Sequence, residues 1–384
     1  MILNGYYYPV DQWVNKIHKN EVTGEYEGFA CDNYIVGNRR GGKTVGVGIF
    51  TLADYLIYGY KAVLVRRFEK NFSDSKKPAM ESFWRKSWAH KAEFPAVVRA
   101  CPSLQKLYPL EIVDKVDWNA HEISFQEGHK CYIDGELFCY PASLNLFDDY
   151  KQADYFDVHN ILYDEFVSEN GERLQNEVEA LNNLYDSFAR HRSDALKTTA
   201  IIYMSNSITD ANQFFTELGI DKEIRKDTKK LLRPEAAYTY EKVFNEVAAE
   251  ELEDSAFGKK LKAGPRGRDY LGYSQGNETK DDTSFVKKLS GDFHYIANIR
   301  FNGKIYALKR HVKTGFHYFT DDKIDKQFPA CYAMTPDDHT DGTWIMPLET
   351  RKRFRMYKEL YQAGRMLFNS MRTKNVWLDV YRYI

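Results

Sequence analysis

Residues 37–44, GNRRGGKT, match the pattern GxxxxGK[ST] of a P-loop, the glycine-rich loop that surrounds nucleotide phosphates. The apolar run 34–36 comes before this loop, and a helix-like segment, 45–54, follows it. In a P-loop the glycines let backbone N–H groups approach the phosphates, and a lysine and a hydroxyl group serve the phosphates and Mg²⁺. The order strand, loop, helix therefore predicts an α/β fold built around a nucleotide site.

The match assigns individual roles to Lys43 and Thr44 and places the whole loop at the nucleotide. We expect Lys43 to neutralise the β- and γ-phosphates of ATP, and Thr44 to ligate Mg²⁺ through its hydroxyl. A glycine-rich turn without a nucleotide would not explain a lysine and a threonine at this spacing. The nucleotide-binding residues expected are Gly37, Asn38, Arg39, Arg40, Gly41, Gly42, Lys43 and Thr44.

A second apolar segment supplies the carboxylates that such a site needs. Residues 158–165, VHNILYDE, form a strand-like run that His159 and Asn160 interrupt and that ends in Asp164 and Glu165. We expect Asp164 to hold the metal and Glu165 to orient and polarise the attacking water. The alternative is a pair of exposed acids at the end of a strand.

Two more elements fit hydrolysis. The strand-like run 200–204 leads to a polar tip in which Asn206 is a candidate sensor of the γ-phosphate or its water. Arg190 and Arg192 are candidates for an arginine finger that reaches a neighbouring subunit. For each arginine, a surface salt bridge is the alternative.

The order of the remaining elements predicts two domains. Apolar runs alternate with helices as far as residue 235, and the segment 122–140 has the turn pattern of a small antiparallel insert. We predict a P-loop domain at 1–235, a basic, glycine-rich linker at 236–284, and a smaller α+β domain at 285–384. The last of these opens with a hairpin across Asn302–Gly303.

The distribution of charge is more informative than the net charge. The 54 basic and 55 acidic residues give −1, which alone predicts no nucleic-acid partner. Basic residues nevertheless cluster in three segments, and such clusters either bind a phosphate backbone or form solvated surface. The candidate DNA-binding residues in two of the clusters are Lys70, Lys76, Lys77, Lys259, Lys260, Lys262, Arg266 and Arg268. The third cluster lies within residues 349–384.

Composition excludes several other classes. Hydrophobic residues make up 43% and charged residues 28%, as in ordinary globular proteins. Five scattered cysteines without a CxxC pair predict neither a disulfide framework nor a zinc site. The sequence has no apolar run of membrane-spanning length and no secretory signal, so we expect a protein of the cytoplasm that does not contact a membrane.

The chain resembles the DNA-packaging (encapsidation) ATPases of small, short-tailed, protein-primed phages, the Salasvirus-like group within the large-terminase class. The resemblance covers most of the chain, is specific in the middle block and is looser towards the C-terminus. The segments that carry it are GNRRGGKT, VRRF at 65–68, YIDGEL at 132–137, ILYDEF at 161–166, NEVEALNNLYDSFARHR at 176–192, YMSNS at 203–207, FVKK and NGKIYAL.

The resemblance implies a homo-oligomeric ring, a pentamer in this family, that pumps double-stranded DNA through a portal into an empty procapsid. It implies a P-loop NTPase of the additional-strand, catalytic-glutamate type that uses ATP and Mg²⁺. Arg190 matches the arginine that acts in trans, and Arg192 is the second choice. The C-terminal domain is expected to look like a degenerate RNase H-like nuclease and to dock on the portal, in some relatives through a structural RNA. The protein would act in the host cytoplasm, transiently at the portal vertex.

Two other functions remain as alternatives. A large terminase with an active nuclease needs convergent carboxylates, usually including one in the first strand of the domain, but residues 294–301 contain no acid. The paired acids at 321–322 and 337–338 remain, although such pairs are commoner in turns. A nucleotide-dependent DNA-binding assembly protein with slow turnover is the third hypothesis, and the position of Glu165 argues against it.

Overall fold

The computed structural model describes two compact units. Unit 1 comprises residues 1–209 and 224–280, and unit 2 comprises residues 210–223 and 281–384. The described residues are 1–384 without 4–5, 21–22, 39–40, 74–78, 127–128, 153–156, 168–173, 175–176, 190–196, 207–211, 221–222, 225–227, 264–283 and 347. Among the helices of this described part, none is long and apolar enough to cross a membrane.

Unit 1 is built on a nine-stranded sheet with the spatial order β12-β13-β5-β11-β10-β6-β9-β8-β7. The strands from β13 to β9 in this order run parallel, whereas β12 pairs antiparallel with β13, β8 with β9, and β7 with β8. The strands of the sheet are β5 (Asp32–Gly37), β6 (Lys61–Arg66), β7 (Ile123–Gln126), β8 (Lys130–Ile133), β9 (Glu136–Ser143), β10 (Val158–Asp164), β11 (Ala200–Asn206), β12 (Lys230–Arg233) and β13 (Tyr238–Val243). The predicted α/β fold with a mostly parallel sheet is confirmed.

Two short hairpins precede the sheet, and helices connect its strands. The hairpins are β1 (Ile2–Leu3) with β2 (Tyr6–Tyr7) and β3 (His18–Lys19) with β4 (Tyr26–Glu27). The helices of unit 1 are α1 (Val10–Asn15), α2 (Lys43–Tyr58), α3 (Lys70–Ser73), α4 (Ala79–Ala89), α5 (Phe94–Ala100), α6 (Pro102–Gln105), α7 (Leu110–Val113), α8 (Glu177–Ala189), α10 (Glu246–Asp254) and α11 (Ala256–Ala263). The predicted insert at 122–140 corresponds to β7, β8 and β9.

The polar interruption of the β10 sequence has a structural reason. Asn160 is fully buried, and its amide nitrogen donates to Asp54 Oδ2 at 2.8 Å. Lys16 Nζ donates to Asn160 Oδ1 at 2.6 Å and to Asp54 Oδ2 at 2.8 Å. Because every member of this buried cluster has a partner, the cluster joins the N-terminal segment, α2 and β10 without leaving an unpaired charge.

Unit 2 contains a six-stranded sheet with the order β18-β17-β14-β15-β16-β19. Strands β14 and β16 each pair antiparallel with β15, which lies between them, whereas β17 is parallel to β14, β18 to β17 and β19 to β16. The strands are β14 (Phe293–Phe301), β15 (Lys304–His311), β16 (His317–Thr320), β17 (Cys331–Ala333), β18 (Trp344–Ile345) and β19 (Met366–Phe368). The helices are α9 (Gln213–Leu218), α12 (Leu348–Gln362) and α13 (Met371–Tyr383).

The first hairpin of unit 2 forms where the sequence predicts it. Asn302 and Gly303 join β14 to β15 with φ values of +49° and +69°, the left-handed conformation that this dipeptide tolerates. The core of the unit is apolar, with Ile299, Leu308 and Trp377 completely buried.

The domain boundaries differ from those expected. The segment 236–284 was predicted as a linker, but β13 lies within the sheet of unit 1 and pairs in parallel with β5. Tyr240, in this strand, is completely buried. Residues 210–223, expected in the first domain, belong to unit 2. The polar residues of β13 do not predict a strand from the sequence alone. The strand is stable because it pairs with β5, about 200 residues earlier in the chain.

Candidate nucleotide-binding site

The P-loop opens into a pocket of about 700 Å³ in unit 1. Gly41, Gly42, Lys43 and Thr44 line one side of this pocket, which lies beside the first turn of α2. The ends of β6, β10 and β11 line another side. The carboxyl ends of neighbouring parallel strands meet at one edge of a sheet, so these three strands bring distant residues together.

Two glycines at the start of α2 are required by the local geometry of the chain. Gly42 has φ +79°, a left-handed conformation that glycine adopts without strain. A Cβ atom on Gly46, in the first turn of α2, would lie only 1.9 Å from the backbone oxygen of Tyr7. Strand β2 therefore passes directly over the start of α2. Of the three N-terminal tyrosines, Tyr7 and Tyr8 are core residues, whereas Tyr6 lines the pocket.

Lys43 is the first residue of α2 and is only 6% exposed. Its ammonium group donates to the backbone oxygens of Asn38 at 2.7 Å and Gly37 at 3.2 Å. Burial lowers the pKa of Lys43 to about 8, although the nearby carboxylate of Asp164 acts in the opposite direction. A partly desolvated ammonium group at a helix N-terminus is well placed for phosphate oxygens.

This pKa leads to a prediction about proton uptake. Near pH 8 about half of the nucleotide-free protein carries a neutral Lys43, and phosphate charge favours the ammonium form. We expect binding of Mg²⁺–nucleotide to take up protons at pH 8 and much less at pH 7. Calorimetric binding heats in buffers of different ionisation enthalpy measure this uptake. An uptake that is equal at the two pH values would contradict the assignment.

Asp164 and Glu165 lie at the end of β10, where both line the pocket. A single guanidinium group bridges them: Arg66 Nη2 lies 2.6 Å from Asp164 Oδ2, and Nη1 lies 2.9 Å from Glu165 Oε2. The side chain of Asp164 is 12% exposed and that of Glu165 is 59% exposed. The arginine reduces the repulsion between two adjacent carboxylates and leaves Glu165 accessible to water.

Arg66 was missed as a site residue in the sequence, although a signal was present. It ends the apolar run 62–65, which becomes β6, the parallel neighbour of β10. Two parallel neighbours in one sheet end at the same edge, so a charged residue at the end of one strand meets the acids at the end of the next.

The structure describes some of the remaining predicted residues, and others lie outside its described part. Asn206, the last residue of β11, lines the pocket together with Ser205. Asn38 is buried and accepts a bond from the backbone N–H of Asn245 at 3.4 Å, and Gly37 ends β5. The predicted residues that lie outside the described part of the chain are Arg39, Arg40, Lys76, Lys77, Arg190, Arg192, Arg266 and Arg268.

The basic segment around residue 260 is helical where the structure describes it. The segment lies in the predicted basic, glycine-rich linker, but Ala256–Ala263 form α11. Gly258 permits close packing, since a Cβ there would lie 1.9 Å from the backbone oxygen of Leu252 in α10. Lys259, Lys260 and Lys262 belong to this helix, and Lys70 begins α3.

One acid of each pair in unit 2, Asp321 and Asp338, makes structural contacts. Asp338 accepts from the backbone N–H of Gly303 at 2.9 Å and from the Thr335 hydroxyl at 2.8 Å. Asp321 accepts from Asn369 Nδ2 at 2.7 Å. Among the described residues of the chain, no cluster of three or more His, Cys, Asp or Glu side chains is arranged to hold a metal ion.

Comparisons with known proteins agree with the sequence and the fold. The DNA packaging protein of Bacillus phage phi29 is 23% identical over 356 residues, which cover 91% of this chain and 93% of that protein. The DNA packaging protein of Bacillus phage B103 is 25% identical over 305 residues, which cover 76% of this chain and 88% of that protein.

A solved structure has the same fold. A chain in the bacteriophage phi29 viral genome packaging motor assembly matches with a TM-score of 0.61 at 20% identity. The match covers 92% of this chain and 95% of that chain. A family model, the podovirus DNA encapsidation protein (Gp16), matches residues 89–384. The chain therefore belongs to the podovirus DNA encapsidation protein family.

Proposed function

We propose that this protein is the ATPase of a phage DNA-packaging motor, which uses ATP hydrolysis to move double-stranded DNA into a preformed procapsid. Family membership and the names of the relatives support the biological role. The observation that carries the proposal is the convergence of Lys43, Thr44, Asp164 and Glu165 on one pocket.

The donor set of the pocket fits Mg²⁺. Magnesium prefers oxygen ligands and keeps several waters, so a hydroxyl from Thr44 and a carboxylate from Asp164 suffice as protein ligands. When bound, the ion would neutralise charge on the phosphates. Lys43 would bind the same phosphates from the loop, and the N-terminus of α2 would add backbone N–H groups.

Glu165 would act as the general base. Its exposed carboxylate lies beside Asp164 and can accept a proton from a water aligned with the γ-phosphate. Asn206 at the end of β11 would contact that water or the phosphate. Strand β11 lies between β5 and β10, which supports an NTPase of the additional-strand, catalytic-glutamate type. We further propose that Arg190 is the arginine finger that reaches the nucleotide site of a neighbouring subunit. Arg192 is the second choice.

Unit 2 would serve docking rather than cleavage. The order β16-β15-β14-β17-β18, with three antiparallel strands followed by two parallel ones, supports an RNase H-like ancestry. Strand β14 contains no acid, which argues against an active nuclease. The proposed partners are the portal of the procapsid, in some relatives through a structural RNA, and copies of this chain in a pentameric ring. The site of action would be the host cytoplasm and the portal vertex.

The lysines of α11 are proposed to contact DNA phosphates. Replacing Lys259, Lys260 and Lys262 by glutamine is expected to lower the slope of log K against log salt by about 0.9 for each lost contact. Lys262 also pairs with Glu253 at 2.9 Å, so its share of the effect should be the smallest. Binding to duplex DNA across a salt series measures the slope.

A matched control removes three exposed lysines elsewhere in unit 1. The control residues are Lys106, Lys115 and Lys130. An equal decrease in the salt slope for both triple variants would mean that the lysines of α11 add positive charge to the protein but do not contact DNA phosphates.

The proposed function is tested by the ATP turnover of the full chain with and without double-stranded DNA. We expect turnover that DNA stimulates and that depends on Mg²⁺. The assay is repeated with procapsids present to support assembly of the ring. If DNA of any length still leaves the turnover unchanged, the protein is not a DNA-coupled motor.

A further inference from the structure

Arg67 follows directly after β6 and is the second arginine of the VRRF segment. Arg66 reaches the carboxylates of the nucleotide pocket, but Arg67 does not line that pocket. Arg67 is only 7% exposed, and its guanidinium group is surrounded by oxygen atoms from other elements. A buried arginine with this many acceptors has a specific geometry and is not a solvated surface charge.

The first acceptors belong to the turn that carries the proposed base. Arg67 Nη1 donates to the backbone oxygen of Glu165 at 3.4 Å, and Nη2 donates to that of Phe166 at 2.9 Å. The N–H groups of the same two residues donate to the backbone oxygen of Met204, at 2.8 Å and 3.3 Å. The four backbone polar groups of this two-residue turn are therefore held by Arg67 on one side and by β11 on the other.

The turn needs such support because of its conformation. Glu165 has φ +61°, a left-handed conformation that a residue with a Cβ keeps only where its surroundings impose it. Without the guanidinium group, the carbonyl groups of Glu165 and Phe166 would lose these donors, and the turn could relax to a different backbone conformation.

The second acceptor fixes Arg67 itself. Nε and Nη2 both lie 2.7 Å from Oε1 of Glu177, the first residue of α8, which is 3% exposed. The hydroxyl of the fully buried Tyr163 donates to the same carboxylate oxygen. The guanidinium group is thus locked in orientation by a carboxylate that is held in turn by β10.

We infer that Arg67 is a positioning residue for ATP hydrolysis: with Glu177 it holds the backbone of Glu165 and Phe166 and so aims the carboxylate of Glu165. The inference rests on the proposed function, in which Glu165 is the base. Arg66 holds Glu165 through the carboxylate itself, with Nη1 2.9 Å from Oε2, so this contact involves the group that must face the attacking water. The contacts of Arg67 with Glu165 and Phe166 are made to backbone oxygens and leave the carboxylate of Glu165 free to act.

The test is Arg67→Lys in the full chain, assayed for DNA-stimulated ATP turnover. The lysine keeps a positive charge beside Glu177, but one ammonium group cannot reproduce the planar fork that spans the carboxylate and two carbonyls. We expect kcat to fall about 100-fold, as for other small displacements of catalytic groups, while KM for ATP stays within about twofold. Arg85→Lys is the matched control, since Arg85 forms an exposed pair with Glu81 in α4. The control should behave as wild type.

Combination with Glu165→Gln separates positioning from general damage. If Arg67 acts through Glu165, Arg67→Lys will change the residual turnover of the Glu165→Gln protein by no more than about twofold. A loss of the same factor in both backgrounds, or a wild-type kcat for Arg67→Lys, would overturn the inference. A Glu165→Gln protein with normal turnover would instead overturn the proposed function.

Tyr163→Phe provides a second variant if Arg67→Lys does not fold. It removes one hydroxyl donor from Glu177 and leaves the buried ion pair intact. We expect a smaller decrease in kcat, an unchanged KM for ATP and no further effect in the Glu165→Gln background. A decrease that persists in that background would contradict the positioning role.

Discussion

Replacing Glu165 by glutamine is expected to lower ATP turnover by about 10²- to 10⁴-fold, the range that general base catalysis supplies. Glutamine has nearly the same shape as glutamate but cannot accept a proton from the attacking water. The P-loop is untouched, so the affinity for ATP should change by no more than about twofold. Steady-state turnover and equilibrium binding of ATP, measured on the same preparation, separate these two effects.

The control for this variant is Glu111→Gln, which removes an exposed carboxylate from α7, outside the pocket. It should hydrolyse ATP at the wild-type rate. A Glu165→Gln protein that retains more than about a tenth of wild-type turnover would show that another group is the base. Asp164 would then be the first residue to test, because it is the neighbouring carboxylate in the pocket.

Replacing Lys43 by alanine is expected to weaken the binding of ATP by about 10- to 150-fold. This corresponds to the loss of a charged hydrogen bond of about 1.5–3 kcal/mol. The ammonium group also donates to the backbone oxygens of Gly37 and Asn38, so its removal loosens the loop before the nucleotide arrives. Titration of a fluorescent ATP analogue gives the affinity of each variant.

Lys115→Ala, at an exposed position in the same unit, controls for the loss of one positive charge. The thermal stability of both variants should be recorded, because Lys43 is buried and Lys115 is not. Equal affinities for ATP in wild type and a folded Lys43→Ala protein would exclude the P-loop assignment.

Local patterns predicted the elements that form the pocket. The P-loop, β10 with its terminal acids, and β11 each carry their signal within about ten residues, since buried parallel strands are short apolar runs. Their convergence followed from one rule, that parallel strands in a sheet end at a common edge. Asp164, Glu165 and Asn206 could therefore be proposed together from the sequence.

The residues that were missed depend on pairing between distant parts of the chain. Arg66 becomes a site residue only because β6 lies beside β10, and Arg67 only because Glu177 and the turn after β10 enclose it. The buried role of Asn160 requires Lys16 and Asp54, which lie more than 100 residues away. Apart from the charged residue that ends the apolar run of β6, the sequence contains no local signal for such pairings.

The predicted linker at 236–284 differs from the structure for a related reason, because it contains β13, a strand of the main sheet. Strand β13 contains Thr239, Glu241 and Lys242, so its composition resembles that of a polar connector. Its position in the sheet comes from six residue pairs with β5, from Tyr238 with Asp32 to Val243 with Gly37. The secondary structure of such a strand is decided by its partners in the sheet more than by the intrinsic propensity of its residues.

The most direct test of the central claim is a packaging assay with procapsids of the phage that encodes this chain. Duplex DNA that has entered a procapsid is protected from an added nuclease. We predict protection that requires the wild-type chain, ATP and Mg²⁺ together, and that is absent with Glu165→Gln. Protection without ATP, equal protection with Glu165→Gln, or no protection while the chain hydrolyses ATP would contradict the account.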